Sequence, residues 1–72
     1  MAFLSARELQ QQLHITRGTL LRWLRMGLPR TQVGPRRWLY NQVAVATWLR
    51  QEYPEYDNWL RECGFPEEIQ NG

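Results

Sequence analysis

Caps and breakers recur so closely along this chain that no stretch between them has room for more than about three helical turns. Ser5-Ala6-Arg7-Glu8 reads as a capping box, with Leu4 and Leu9 placed as a hydrophobic staple. Ala6, Leu9 and Leu13 then recur on one helical face, which predicts a first helix over about 6–13. After the brief connection His14-Ile15, Thr16 is a second N-cap. It opens a helix over about 17–26 that Gly27 and Pro29 stop. On this second helix Leu20, Trp23 and Leu24 share the inner face, Leu21 lies at its edge, and Gly18, Arg22 and Arg25 point the other way.

Thr31-Gln32-Val33 and Trp38-Leu39-Tyr40 are β-favouring runs on either side of Gly34-Pro35-Arg36-Arg37. This predicts a hairpin over about 31–40 with two arginines at its tip. A hairpin so short needs cover on one face, which Trp38 or Tyr40 is suited to anchor. Asn41 caps a third helix over about 42–51, with Val45, Trp48 and Leu49 as its buried stripe and Pro54 as its limit. A fourth helix is expected over about 55–63, where Tyr56, Trp59, Leu60 and Cys63 follow helical spacing and Gly64-Phe65 resembles a Schellman end. The fold class is therefore mainly α with a small β-hairpin.

Seventy-two residues make one domain, and 43% hydrophobic residues with four Trp permit a core without disulfide or metal. Cys63 is the only cysteine, so no intrachain disulfide forms and a reducing compartment is expected. The N-terminus lacks a basic stretch followed by an apolar run, and no window nears the roughly 18 apolar residues of a membrane span. A soluble, unprocessed cytoplasmic protein with no membrane partner is the expectation.

The net charge of +2 conceals a division along the chain. Residues 1–50 carry eight arginines against Glu8, a net of +7, whereas residues 51–72 carry Arg61 against six acids, a net of −5. That clustering bears on partners more than the total does. All nine basic residues are arginine, a bias that codon usage explains and that carries no weight here.

Catalysis has little support. His14 and Cys63 are almost fifty positions apart, and neither has an evident orienting partner. A zinc site needs three or four clustered ligands, and the five glycines are scattered as caps and turns, not gathered in a phosphate-cradling loop. No enzyme activity, cofactor, metal or small-molecule effector is expected. The available chemistry is electrostatic. The second helix exposes Arg17, Thr19 and Arg22 in its N-terminal half, with Arg25 beyond, and has the width and charge to enter a DNA major groove. Thr16 and Thr19 are suited to phosphate contacts, and Arg36-Arg37 at the hairpin tip to the DNA backbone or a narrow minor groove.

These elements resemble the winged helix-turn-helix of MerR-like regulators, phage excisionases, AlpA-type prophage regulators and the DNA-binding part of phage terminase small subunits. The pattern runs from Leu4-Ser5-Ala6-Arg7-Glu8-Leu9 through Ile15-Thr16-Arg17-Gly18-Thr19-Leu20-Leu21-Arg22-Trp23 and Gly27-Leu28-Pro29. A glycine-containing hairpin and Val45 to Trp48-Leu49 complete it over about residues 4–50. The resemblance implies that the second helix reads the major groove and the hairpin is a wing, which assigns Arg17, Thr19, Arg22, Arg36 and Arg37 to DNA. Gly18 departs from the polar residue usual near the start of such a helix. Either the backbone approaches DNA closely there, or this helix contributes less to base readout.

MerR-type sensors and terminase subunits continue into further regions, so a chain of this size is most similar to an excisionase, a recombination directionality factor. The resemblance then implies binding and bending of attachment-site DNA to direct an integrase toward excision in a bacterial host, with integrase and neighbouring protomers as partners. A small phage transcriptional regulator is the alternative within the same class. The expected organisation is a DNA-binding domain over 1–53, an acidic amphipathic helix over 54–65 and a flexible tail over 66–72. The stripe of Tyr56, Trp59 and Leu60 on that helix has two readings: packing on the domain's own core, or a contact with another protein that makes the chain an interaction module. Cys63 is most simply a small apolar residue at the end of the stripe.

Overall fold

The computed structural model describes residues 3–65, a mainly helical chain with a small three-stranded antiparallel sheet. In chain order the elements are β1 (Phe3–Leu4), α1 (Ala6–Leu13), α2 (Arg17–Met26), β2 (Thr31–Gly34), β3 (Arg37–Asn41), α3 (Gln42–Glu52), a 3-10 turn (Pro54–Tyr56) and α4 (Asp57–Glu62). The tail expected over 66–72 lies outside the described residues. No helix among the described residues is long and apolar enough to cross a membrane.

The first three helices start where a cap was legible. The Ser5 backbone N–H donates to Glu8 Oε1 at 2.9 Å and the Glu8 N–H returns to Ser5 Oγ at 3.2 Å, closing the capping box. The Ser5 backbone N–H, and after it the Ser5 hydroxyl, hold the Glu8 carboxyl below the usual carboxylate range. Thr16 Oγ1 accepts from the Thr19 N–H at 3.3 Å, and Asn41 Oδ1 accepts from the N–H groups of Val43 and Ala44.

Three helices end in the same manner. A residue at or just past the end of the helix turns left-handed, and the next N–H reaches back to a carbonyl five residues earlier: Ile15 to Gln10, Leu28 to Trp23 and Phe65 to Leu60, at 2.9–3.0 Å. Gly27 (φ 112°) and Gly64 (φ 85°) take the left-handed position in two of them, but His14 (φ 55°) takes it in the first. An L side chain there costs about 1–2 kcal/mol of backbone strain. His14→Gly is therefore expected to raise stability by roughly 0.5–1 kcal/mol, and Gly27→Ala to lower it by about 1 kcal/mol, in thermal unfolding. A destabilised His14→Gly protein would mean that the imidazole holds a contact worth more than the strain.

Leu9 and Leu13 of α1, Leu20 and Trp23 of α2, Tyr40 of β3, and Val45, Ala46 and Leu49 of α3 form one core, closed by Leu28, Leu60 and Phe65. On α3 it is Ala46, not Trp48, that completes the buried stripe, because α3 turns a small side chain toward the crowded centre and leaves the indole half-buried. Tyr40 anchors the hairpin inside, as expected of one of the two aromatics.

The sheet differs from the expected hairpin in two respects. Phe3 and Leu4 pair with Asn41 and Tyr40, adding β1 to β3 and giving the order β1-β3-β2. Two residues before a helix cap carry no strand periodicity, so only the tertiary pairing defines that strand. The turn is also tighter, at Pro35-Arg36, with Arg37 already in β3. Pairing steps from Gln32↔Trp38 to Gly34↔Arg37, so Val33 is an extra residue bulged out of β2.

The expected helix over 55–63 is broken. Pro54 drives Tyr53 out of helical conformation (φ −135°, ψ 77°), and the chain restarts as a 3-10 turn before α4. A 3-10 turn eclipses residues i and i+3, so Tyr53 and Tyr56 stack at 4.8 Å. Trp23 (6.4 Å from Tyr53) and Trp59 (5.1 Å from Tyr56) extend the series of rings. Gln12 Nε2 donates to the Cys63 carbonyl at 2.9 Å, tying α1 to the end of α4. Arg50 Nε binds Asp57 Oδ1 at 2.8 Å, and Arg61 lies 3.2 Å from Oδ2 of the same carboxylate.

Candidate nucleic-acid interface

A groove of about 580 Å³ opens between α1, α2 and the β2–β3 hairpin. Its floor is apolar: Ala6, Leu20, Leu24 and Tyr40, with Leu20 and Tyr40 also part of the core. Its walls carry Arg7 from α1, Arg17 from α2, Arg30 from the segment after α2, and Arg36 and Arg37 from the hairpin. No carboxylate among the described residues lines it. Of the described acids, only Glu8 belongs to one of these elements, and its carboxylate is turned to the start of α1 by Ser5. The others, from Glu52 to Glu62, lie on the last turn of α3, the 3-10 turn and α4, none of which lines the groove.

The fold thus gathers three of the residues singled out in sequence, Arg17, Arg36 and Arg37, into one concavity. Arg22 and Arg25 are exposed on α2 but do not line the groove, and they extend its positive charge around the helix. The Thr16 and Thr19 hydroxyls lie 3.2 Å apart, and Thr16 Oγ1 already accepts from the Thr19 N–H. Capping occupies a lone pair of Thr16 Oγ1, and of the two hydroxyls the one that does not donate across this pair keeps its O–H for an acceptor such as a phosphate oxygen. Gly18 is exposed, and a Cβ there meets only Thr16 Oγ1 at 3.8 Å, so the fold itself does not require glycine.

Arg7 and Arg30 are groove residues that the sequence reading did not single out. Arg7 and Gln10, three apart on α1, share a face that helical spacing could have revealed. Arg30 follows a proline and has no periodic signal. It becomes visible only in the sheet register, where Gln32 pairs with Trp38 and places Arg30 diagonally across from the indole. Its guanidinium carbon lies 4.0 Å from the Trp38 ring centroid, a cation–π contact that holds the planar fork at the groove wall.

The residues named for a protein contact divide. Leu60 is 0% exposed and belongs to the core, so it has no surface to offer a partner; Tyr56 and Trp59 are half-buried against that core. Cys63 is half-buried too, and burial followed by the Glu62 charge pushes its thiol up, away from a reactive thiolate.

Guanidinium forks around the groove with no competing carboxylate among the described residues suit a polyanion whose charges are closely spaced, and the apolar floor suits its less polar parts. Compared with models of known protein families, with curated proteins and with solved structures, the chain matches none of them.

Proposed function

We propose that this chain is a double-stranded DNA-binding module of the winged helix-turn-helix type, with α2 directed into the major groove and the β2–β3 hairpin acting as the wing. One observation carries the reading: Arg7 of α1, Arg17 of α2, Arg30 of the segment after α2, and Arg36 and Arg37 of the hairpin line one groove that has no carboxylate among the described residues. B-DNA presents about one negative charge per 1.7 Å of axis, so a phosphate strand is a natural match for such a groove. The ten residues of α2 span about 15 Å, long enough to follow the major groove at its N-terminal end.

By resemblance, the role to test first is that of a phage-type excisionase that binds and bends attachment-site DNA, with an integrase and neighbouring copies on the DNA as partners. A small transcriptional regulator shares the same DNA contacts and differs in its sites. The reading as a protein-interaction module through α4 loses support, because Leu60 at the centre of the apolar stripe is enclosed by the chain itself.

Fluorescence anisotropy on mixed-sequence duplex DNA tests the proposal. Binding should be measurable at low salt and should weaken in Arg36→Ala/Arg37→Ala. A protein that binds no duplex at low salt would overturn it.

A further inference from the structure

Five large apolar side chains are close to half exposed among the described residues: Phe3, Leu21, Met26, Val33 and Val43. Of these, only Leu21 (45% exposed) lines the arginine groove. It stands one helical turn from Arg17 and one from Arg25, with Arg22 beside it. Core packing does not demand a leucine there, because Leu20 and Trp23 already fill the inner side of α2.

We infer that Leu21 is a specificity-determining residue that reads the 5-methyl group of a thymine in the major groove. The inference rests on the DNA-binding reading. Any duplex held by Arg17 and Arg25 presses whatever lies between those contacts onto Leu21. Base edges in the major groove are mostly hydrogen-bonding groups, and the largest apolar feature among them is the thymine methyl. A leucine set against any other edge would strip water from donors or acceptors and return nothing. Gly18 supports the placement. Long side chains on a helix lean back over the preceding turn, so Leu21 leans toward a residue with no side chain. Gly18 therefore leaves space beside Leu21 for a base edge to approach, and the fold itself has room for a methyl at that position.

The test begins with selection of a preferred site from a random-sequence duplex pool. That duplex is then remade with deoxyuridine at each thymidine in turn. Uracil keeps every hydrogen-bonding group and removes only the methyl. The wild type should lose about threefold to tenfold in affinity at one thymine, as expected for a buried methyl-sized contact. Leu21→Ala should show that loss already on the thymine duplex and become indifferent to uracil there, whereas Leu21→Met should retain the wild-type discrimination. Leu21 is exposed, so these variants keep the fold, and their melting curves verify it. Binding without any preferred site, uracil indifference in the wild type, or an equal uracil effect in wild type and Leu21→Ala would each overturn the inference while leaving DNA binding intact. Absence of duplex binding at low salt would overturn both.

Discussion

Leu60→Ala is expected to lower stability by about 2–5 kcal/mol, the range for truncating a fully buried leucine in a core that cannot collapse around the gap. Leu60 is 0% exposed and is enclosed with the leucines of α1 and α3. A domain of this size has roughly 4–11 kcal/mol in total at the usual stability per residue, so one substitution removes a large fraction of it. The melting midpoint should fall by roughly 10–30 °C. The result separates the two readings of the acidic helix. If α4 existed chiefly to meet a partner, truncating its stripe would change monomer stability by no more than about 0.5 kcal/mol, as at an ordinary surface position. A six-residue helix has no stability of its own, so its order here derives from Leu60, Phe65, the aromatic series and the hydrogen bond from Gln12. Circular dichroism melting of Leu60→Ala beside the exposed Glu62→Ala checks this. Equal midpoints would show that α4 is not part of the folded core.

What was legible in the sequence follows from where the determining interactions lie. Ser5, Thr16, Asn41, Gly27 and Gly64 act within a few residues of themselves, so the bounds of α1 and α2 and the start of α3 could be read from local chemistry. The arginines of α2 and of the hairpin tip were also legible, because their charge and position along an element are local properties. Three features were not. β1 exists only because β3 is beside it. The break at Tyr53–Tyr56 follows from a proline's effect on its predecessor together with ring stacking across a 3-10 turn, which helical spacing alone does not register. Arg30 enters the groove through a sheet register with a bulge at Val33, and no periodicity along the chain encodes a diagonal contact between strands. The groove as a whole belongs to this last kind: its five arginines are separated by up to thirty positions and meet only once the core is packed.

If those five arginines each neutralise one phosphate, the logarithm of the binding constant should fall with the logarithm of salt concentration at a slope of about −4.5. Raising monovalent salt from 50 to 200 mM should then weaken binding by roughly 500-fold, the largest change expected of this protein. The individual residues are distinguishable within that slope. Arg7→Ala, Arg36→Ala and Arg37→Ala should each make it shallower by about one and weaken all duplexes alike, as phosphate contacts do. Arg22→Ala on the outer face of α2 should leave the slope closer to that of the wild type. It should lose about 1–3 kcal/mol on the preferred site alone if its fork meets a base edge. Arg30 gives the sharpest contrast. Arg30→Lys keeps the charge, and hence the slope, but gives up a planar group stacked 4.0 Å from Trp38. Affinity should fall at every salt concentration by a constant factor, through the loss of an already oriented fork. Arg61→Ala serves as the control, because Arg61 is paired with Asp57 on α4 and lines no part of the groove. Its slope should match the wild type. If Arg61→Ala flattened the slope while Arg7→Ala and Arg37→Ala did not, the polyanion would lie against α4 and not in the groove.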